Sequence, residues 1–211
     1  CFGCHASGNV VGFLMQYESF AFPEAIQWLA SRYGIHLTYE SASSSSTANT
    51  INPLYALHRA AVQFFHQYLH RDPGAQTARA YCRRRLITSD VAAQFDIGYA
   101  PDAWDACYRA MRSQGFPLEL LAQSGLIVTR ESRTYDRFRH RVMFTIHDRL
   151  GRPIAFGGRT LGSEPEVPKY LNSPETPIFH KGHNLYGFHL AKQAIRQQEQ
   201  AIIVEGYTDV L

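Results

Sequence analysis

The stretch Ala201-Ile-Ile-Val-Glu-Gly-Tyr-Thr-Asp-Val-Leu211 joins an apolar run to an acidic turn. Three consecutive β-branched residues, at 202–204, indicate a strand that is buried on both faces. Glu205 follows at the carboxyl end of this strand, where open α/β sheets bind their ligands. Gly206 allows the backbone to turn, and Asp209 comes shortly after it. The stretch therefore predicts the beginning of an α/β sheet with two carboxylates at its edge.

The carboxylates of Glu205 and Asp209 suit a hard divalent cation. Mg²⁺ prefers oxygen ligands, and proteins usually hold it with one or two carboxylates together with phosphates. For a Glu-Gly pair taken alone, a surface turn that happens to be acidic is the simpler interpretation.

The other end of the chain begins with a cysteine pair, Cys1-Phe-Gly-Cys4. This spacing is typical of half a tetrahedral zinc site, whose other two ligands would have to lie upstream. A redox pair or two unrelated thiols are the alternatives. Cys82 and Cys107 lie among helical signals and are expected to be small buried residues.

The composition is that of an ordinary soluble globular protein, with 45% hydrophobic and 18% charged residues among 211. A chain of this length can bury the core of one medium domain and carry a small module in addition. No apolar run approaches the length of a membrane span, so a membrane partner is not expected. Four cysteines do not make a disulfide framework, which fits a reducing cytoplasm.

Positive charge is concentrated in one segment. Residues 130–152 contain seven arginines and three acidic residues, a local net charge of +4 against +3 for the whole chain. Tyr135, Phe138 and Phe144 are interleaved with these arginines, which raises the odds of nucleic-acid contact. A solvated basic face is the alternative.

The chain divides at a low-complexity segment. Residues 1–39 read as one unit, and the serine-rich residues 40–52 read as a linker that cannot bury a core. Helical periodicity then predominates over residues 53–125. Alternation indicates two strands, Arg141–His147 and Pro153–Phe156, joined by a turn.

Two segments that follow these strands have no regular pattern of their own. Gly157 and Gly158 come directly after the second strand, where a partner can approach the backbone closely. Residues 162–184 show no period, and a long irregular segment in a compact domain is usually functional.

Several motifs follow one another in the second half of the chain: Tyr135-Asp-Arg-Phe-Arg139, Arg141-Val-Met-Phe144, Phe156-Gly-Gly-Arg159, Lys169-Tyr-Leu-Asn-Ser-Pro-Glu-Thr176, Phe179-His-Lys-Gly182 and Leu185-Tyr-Gly187. Together, in this order and spacing, they resemble the catalytic core of bacterial DnaG-type DNA primases. Glu205-Gly-Tyr-Thr-Asp209 is similar to the opening motif of that family's Toprim fold. Cys1-Phe-Gly-Cys4, Gly8 and Phe22-Pro-Glu-Ala25 resemble the second half of its zinc ribbon.

The resemblance implies an α+β fold. It assigns residues 1–39 to the C-terminal half of a zinc ribbon, with the linker at 40–52. Residues 53–198 become the N-terminal subdomain of the primase core, a mixed helical and β unit. Residues 199–211 become the first strand and motif of a truncated α/β Toprim fold, whose later Asp-x-Asp metal ligands would lie beyond Leu211.

The resemblance also implies an activity. DNA primases synthesise short RNA primers on single-stranded DNA from nucleoside triphosphates, at the bacterial replication fork in the cytoplasm. The implied cofactors are a structural Zn²⁺ held by Cys1 and Cys4 and a catalytic Mg²⁺ or Mn²⁺ held by Glu205 and Asp209. The implied partners are the template, the triphosphates, the replicative helicase and the single-strand-binding protein.

By the same resemblance, Glu205 is the first acidic metal ligand and also helps to activate the attacking hydroxyl, and Lys169 is the second catalytic residue. The residues implied to line the groove for template or triphosphate are Arg85, Arg141, Arg159, Lys169, Tyr170, Asn172 and Lys181. The family carries glycine after the arginine that Arg85 matches, whereas this chain has Leu86, and this departure puts the role of Arg85 in question.

Two other functions remain open. The chain as it stands is expected to be inactive alone, and a non-catalytic module that binds single-stranded nucleic acid would account for the basic residues. Another Toprim enzyme, a topoisomerase or nuclease, is the second alternative. The motif that begins at Lys169 argues against it, because the subdomain that carries this motif is a primase feature.

Overall fold

The computed structural model describes residues 8–18, 20, 22–35, 37, 45–130 and 133–211. The chain forms two compact units, residues 1–45 and residues 46–211. The zinc ligands predicted at Cys1 and Cys4 lie outside the described residues, as does the first part of the predicted linker.

The described part of the chain contains both helices and strands, which confirms the α+β class. Its helices are α1 (Val10–Tyr17), α2 (Phe22–Tyr33), α3 (Ser45–Arg71), α4 (Gln76–Arg84), α5 (Ser89–Gln94), α6 (Ala106–Ser113), α7 (Leu118–Ser124), α8 (Phe188–Gln198) and α9 (Tyr207–Val210). Its strands are β1 (Gly98–Ala100), β2 (Ile127–Arg130), β3 (Arg133–Asp136), β4 (Arg141–His147), β5 (Pro153–Thr160) and β6 (Tyr170–Asn172). Across these described residues, no helix has the length and apolar character that a membrane crossing requires.

The first unit contains α1 and α2. The side chain of Asn9 caps α1 by accepting a hydrogen bond from the Gly12 N–H at 2.9 Å. Helix α2 begins at Phe22 with proline in its first turn, and Gly34 ends it in the left-handed conformation, with φ of 66°.

Helix α3 begins at Ser45, so the second half of the predicted linker is helical. Its buried face starts further along, at Leu54 and Leu57, and continues to Leu69. Because extending a helix costs far less than nucleating one, a helix anchored at Leu54 can propagate toward its N-terminus, and Pro53 within it removes a single hydrogen bond.

An antiparallel sheet in the order β1-β4-β5-β6 forms the centre of the second unit, and β2 pairs separately with β3. Strand β4 has the predicted bounds, Arg141–His147, whereas β5 continues four residues past the predicted Phe156. Gly157 and Gly158 therefore lie inside a strand, opposite Phe144 and Met143 of β4.

The two faces of this sheet carry different residues, because neighbouring positions along a strand point to opposite sides. On one face, Met143 and Phe156 pack with Leu57 and Phe65 of α3. The other face, which we call the tyrosine face, carries the residues at the alternate register positions: Val142, Phe144, Gly157, Arg159, Tyr170 and Asn172.

The prediction of a buried strand at residues 202–204 is wrong. Residues 201–204 have no regular structure, and Ile202 is 85% exposed. A strand needs a neighbour that satisfies its backbone hydrogen bonds, and strands β1–β6 pair only among themselves. The chain turns at Gly206 and continues as the short helix α9.

Candidate nucleic-acid interface

Two predicted groove arginines converge on the ring of Tyr81, a residue of α4 that packs with Val142 and Phe144 of the tyrosine face. The Arg159 guanidinium lies over the ring of Tyr81, 4.3 Å from its centroid. Arg85, at the end of α4, approaches the same ring at 5.9 Å. Tyr170 lies directly across from Arg159 in the β5–β6 pair. The fold thus brings together Arg85, Arg159 and Tyr170, which belong to separate elements and span 85 positions of the sequence.

The charge of these arginines is not neutralised. Within the described ranges, neither Arg85 nor Arg159 forms an ion pair with a carboxylate. The Arg159 guanidinium donates one hydrogen bond, to the carbonyl of Thr160 at 2.8 Å, and its Nε is buried without a partner. Burial, and then the neighbouring Tyr170, raise the pKa of Tyr81, so its ring stays neutral beneath both cations.

Leu86 explains how Arg85 keeps this position although the glycine of the family is absent. Leu86 adopts the left-handed conformation, with φ of 58°, and its side chain is 86% exposed. A left-handed conformation costs a residue with a Cβ roughly 1–2 kcal/mol, which the fold tolerates here. The turn that a glycine would make is therefore retained, and Arg85 stays beside Tyr81.

Lys169 directly precedes β6, and its backbone lies across from Thr160 at the end of β5. Its carbonyl accepts a hydrogen bond from the Thr160 N–H at 3.0 Å, which fixes the backbone beside the end of β5. Its side chain is exposed, and no carboxylate among the described residues pairs with it. The positive charge of Lys169 is therefore exposed and not neutralised by a described carboxylate.

Lys181 and Asn172 have different surroundings. Lys181 lies in a 3₁₀ turn, where its backbone N–H donates to the carboxylate of Glu175 at 3.0 Å. No contact in the described part of the chain joins Lys181 to the tyrosine face, so its predicted role stays a prediction. The Asn172 side chain accepts a hydrogen bond from the Tyr207 hydroxyl at 2.9 Å.

The acidic turn lies against the tyrosine face through Tyr207, which stacks on Phe144 with ring centroids 5.0 Å apart. Both carboxylates of the turn, Glu205 and Asp209, are exposed. Asp209 accepts a hydrogen bond from the Gly206 N–H at 3.1 Å.

The donor atoms of this turn fit a hard cation such as Mg²⁺, because both are carboxylate oxygens. Among the described residues, however, no group of three or more His, Cys, Asp or Glu side chains could hold a metal ion. The turn thus offers the pair of carboxylates that the sequence predicts and no larger cluster.

Arg141 does not belong to this surface. It projects from the opposite side of the sheet, is 4% exposed, and donates hydrogen bonds to the carbonyls of Gly158 and Pro168, both at 3.0 Å. Burial lowers the pKa of its guanidinium. These bonds tie β5 to the loop before β6, so we assign Arg141 a structural role and remove it from the predicted contacts.

The basic segment 130–152 is not one continuous face. Phe138 and Phe144 are buried in the core, so these two aromatic rings do not make the nucleic-acid contact that their interleaving with the arginines suggested. Arg152 pairs with Asp148 at 2.6 Å instead of facing solvent.

Sequence reasoning missed one exposed aromatic platform, which is built on Trp104. Trp104 precedes α6 and is 66% exposed. The Arg139 guanidinium lies 4.3 Å from the centre of its ring, and Tyr135 packs against its edge at 5.7 Å. The acidic neighbours Asp102 and Asp105 were the signal that this position faces water.

The platform and Lys169 lie at the same end of the sheet. Ala100, Arg141 and Thr160 form one row across β1, β4 and β5, and the Thr160 N–H donates to the Lys169 carbonyl. From Ala100 to Lys169 the row spans four neighbouring backbone segments, roughly 14 Å at the usual strand spacing.

Comparison with known proteins identifies the family. A model described as the N-terminal domain of the DNA primase catalytic core matches residues 64–192, and one described as the CHC2 zinc finger matches residues 1–45. The DNA primase of Pseudomonas aeruginosa is 42% identical over 216 residues, covering 100% of this chain and 32% of that protein. The chain therefore spans about a third of the length of this curated relative.

Solved structures agree with this result. A DnaG primase catalytic domain bound to single-stranded DNA is 45% identical, with a TM-score of 0.69 over 77% of this chain and 50% of that one. The zinc-binding and RNA polymerase domains of the Aquifex aeolicus primase are 34% identical, with a TM-score of 0.69 over 99% of this chain and 49% of that one. The chain belongs to the bacterial DnaG-type DNA primase family.

Proposed function

We propose that this chain carries the template-binding part of a primase active site, which serves DNA-directed synthesis of short RNA primers from nucleoside triphosphates. The observation that carries the proposal is the convergence of two unneutralised arginines, Arg85 and Arg159, beside the docked turn of Glu205 and Asp209. Cations hold a polyanion, and carboxylates hold the metal that a phosphoryl transfer needs.

Each residue of the interface has a distinct role in this proposal. Arg85, Arg159 and Lys169 contact phosphates of the template or the triphosphate. Tyr170, 38% exposed, offers a ring on which a base can stack. The Trp104–Arg139 platform is a second stacking surface along the same strand.

Two metals belong to the proposal. Glu205 and Asp209 would hold Mg²⁺ or Mn²⁺, which when bound supplies charge stabilisation at the reacting phosphate. Cys1 and Cys4 would hold a structural Zn²⁺ as part of the CHC2 zinc finger that matches residues 1–45. The replicative helicase and the single-strand-binding protein are further partners that family membership suggests.

A non-catalytic single-strand binding module is the second candidate for this chain. It is favoured by the finding that the described residues offer no metal-binding group larger than two carboxylates. A topoisomerase or nuclease is disfavoured, since the primase core domain matches residues 64–192.

Salt dependence of DNA binding tests the proposed interface. Three phosphate contacts, from Arg85, Arg159 and Lys169, predict a slope of about −2 for log affinity against log salt with single strands. The affinity for an oligo-dT strand should therefore fall roughly twentyfold between 50 and 200 mM salt, as measured by fluorescence anisotropy.

Two arginine variants, one inside and one outside the interface, provide the control for this titration. Arg159→Ala should reduce the slope by about 0.7, the amount expected for one phosphate contact. Arg112→Ala, at the C-terminal end of α6 and exposed, should leave the slope unchanged. Affinity that does not respond to salt, or equal effects of the two variants, would remove the interface from the proposal.

A further inference from the structure

The acidic turn is held by helix α9, which spans only the four residues Tyr207–Val210. A helix of one turn is not stable by itself, because nucleation is unfavourable and few bonds follow it. Its position must therefore come from side chains that dock it on the sheet.

Tyr207 provides the main docking contact. Its ring stacks on Phe144 at 5.0 Å with an interplanar angle of 8°, and meets Tyr186 edge to face at 4.8 Å. Its hydroxyl donates to Asn172 Oδ1 at 2.9 Å. Burial raises the pKa of Tyr207 to about 12, so the hydroxyl keeps the proton that it donates.

Two glycines clear the space for this docking. A Cβ at Gly157 would lie 2.5 Å from the Tyr207 ring, closer than any real contact. A Cβ at Gly187 would lie 2.8 Å from a methyl group of Val210. Gly157 lies in a regular strand and has no left-handed φ, so the Tyr207 ring is the reason that a side chain is excluded there.

The two carboxylates have no other attachment. Glu205 forms no hydrogen bond or ion pair with any residue that the structure describes, and Asp209 bonds only within the turn. Residues 201–204, on their N-terminal side, are exposed and unpaired with any described strand. Tyr207 is thus the main contact that sets where the carboxylates lie relative to Arg159.

We propose that Tyr207 and Asn172 are positioning residues, whose hydrogen bond holds the Glu205–Asp209 turn on the tyrosine face. Gly157, which has no side chain, leaves the space that the Tyr207 ring occupies. This inference rests on the proposed function. It also changes the role of Asn172, which the sequence predicts to contact nucleic acid.

A double-mutant cycle tests this bond in the complete polypeptide that carries these residues. Tyr207→Phe and Asn172→Leu each remove one partner while keeping the shape of the side chain. Each should lower primer synthesis about threefold to tenfold, as for one lost hydrogen bond. The double variant should lose no more than either single variant, because the two residues act through one bond.

Amide hydrogen exchange reads the position of the turn without any metal or activity. The amides of Gly206 and Asp209 should exchange several times faster in both single variants, while affinity for single-stranded DNA stays within twofold. Gly157→Ala should give the same pattern with a larger loss of synthesis. Tyr108→Phe, on the opposite side of the sheet, is the matched control and should change neither quantity.

Two results would overturn the inference: losses that add in the double variant, or unchanged exchange in Tyr207→Phe and Gly157→Ala. Failure of the proposed function is a separate outcome, since an unaltered protein that neither binds DNA nor makes primers would still report on the docking through hydrogen exchange.

Discussion

Glu205→Gln is expected to reduce primer synthesis about 100- to 1,000-fold, the range for removing one preorganised charge-stabilising group from an active site. The substitution keeps the size of the side chain and removes its negative charge. Glu205 is exposed and forms no hydrogen bond or ion pair with a described residue, so the fold should not depend on it. A loss of activity would therefore report on its chemistry.

The measurement compares synthesis with binding in the complete polypeptide. Template affinity should stay within twofold, because the proposal assigns phosphate binding to cationic side chains and not to Glu205. Glu119→Gln, an exposed glutamate on α7, serves as the matched control and should retain full synthesis. Equal losses of synthesis and template affinity in Glu205→Gln would indicate a structural role and contradict the assignment.

Lys169→Ala is expected to lower primer synthesis about 100-fold, by removing an exposed cation that faces no carboxylate. The backbone carbonyl that accepts a hydrogen bond from the Thr160 N–H is unaffected by the substitution, so the end of β5 should keep its structure. The melting temperature should therefore not change.

Two further lysine variants make this result specific. Lys169→Arg keeps the charge and should recover part of the activity. Lys192→Ala removes a lysine of α8 whose ammonium donates to the carbonyl of Arg149, and should leave synthesis unchanged. Full synthesis by Lys169→Ala would exclude Lys169 from the site.

Local signals in the sequence predicted much of the secondary structure. The strand predicted at Arg141–His147 has these bounds in the fold, and helices α3–α7 lie within or overlap the segment 53–125 where periodicity predicted them. These predictions succeeded because apolar periodicity is a local property of the sequence.

Features that depend on tertiary contacts could not be predicted in this way. The strand predicted at 202–204 required a pairing partner, which periodicity alone does not reveal. Arg141 and Arg159 are both arginines in adjacent strands, yet only the register decides which one is buried and which one faces Tyr81. The close approach at Gly157 was predicted, but its occupant, Tyr207, lies 50 positions away.

In the candidate site, too, some residues could be predicted from the sequence and others depend on tertiary contacts. Family resemblance pointed to Arg85, Arg159, Lys169 and Tyr170, and the fold gathers the arginines and Tyr170 around Tyr81. Neither Tyr81 nor Trp104 was recognised, because a tyrosine within a helix and a tryptophan near one read as core residues.

The central claim is that the cationic tyrosine face holds the template beside the acidic turn, and cleavage by a substituted metal tests it most directly. Fe²⁺ in place of Mg²⁺, with peroxide and ascorbate, generates radicals that cut DNA near the metal. In the complete polypeptide, bound end-labelled single-stranded DNA should be cut at a few adjacent nucleotides, and Glu205→Gln or excess Mg²⁺ should abolish the cuts. Template that stays bound but is uncut, or is cut evenly along its length, would contradict the account.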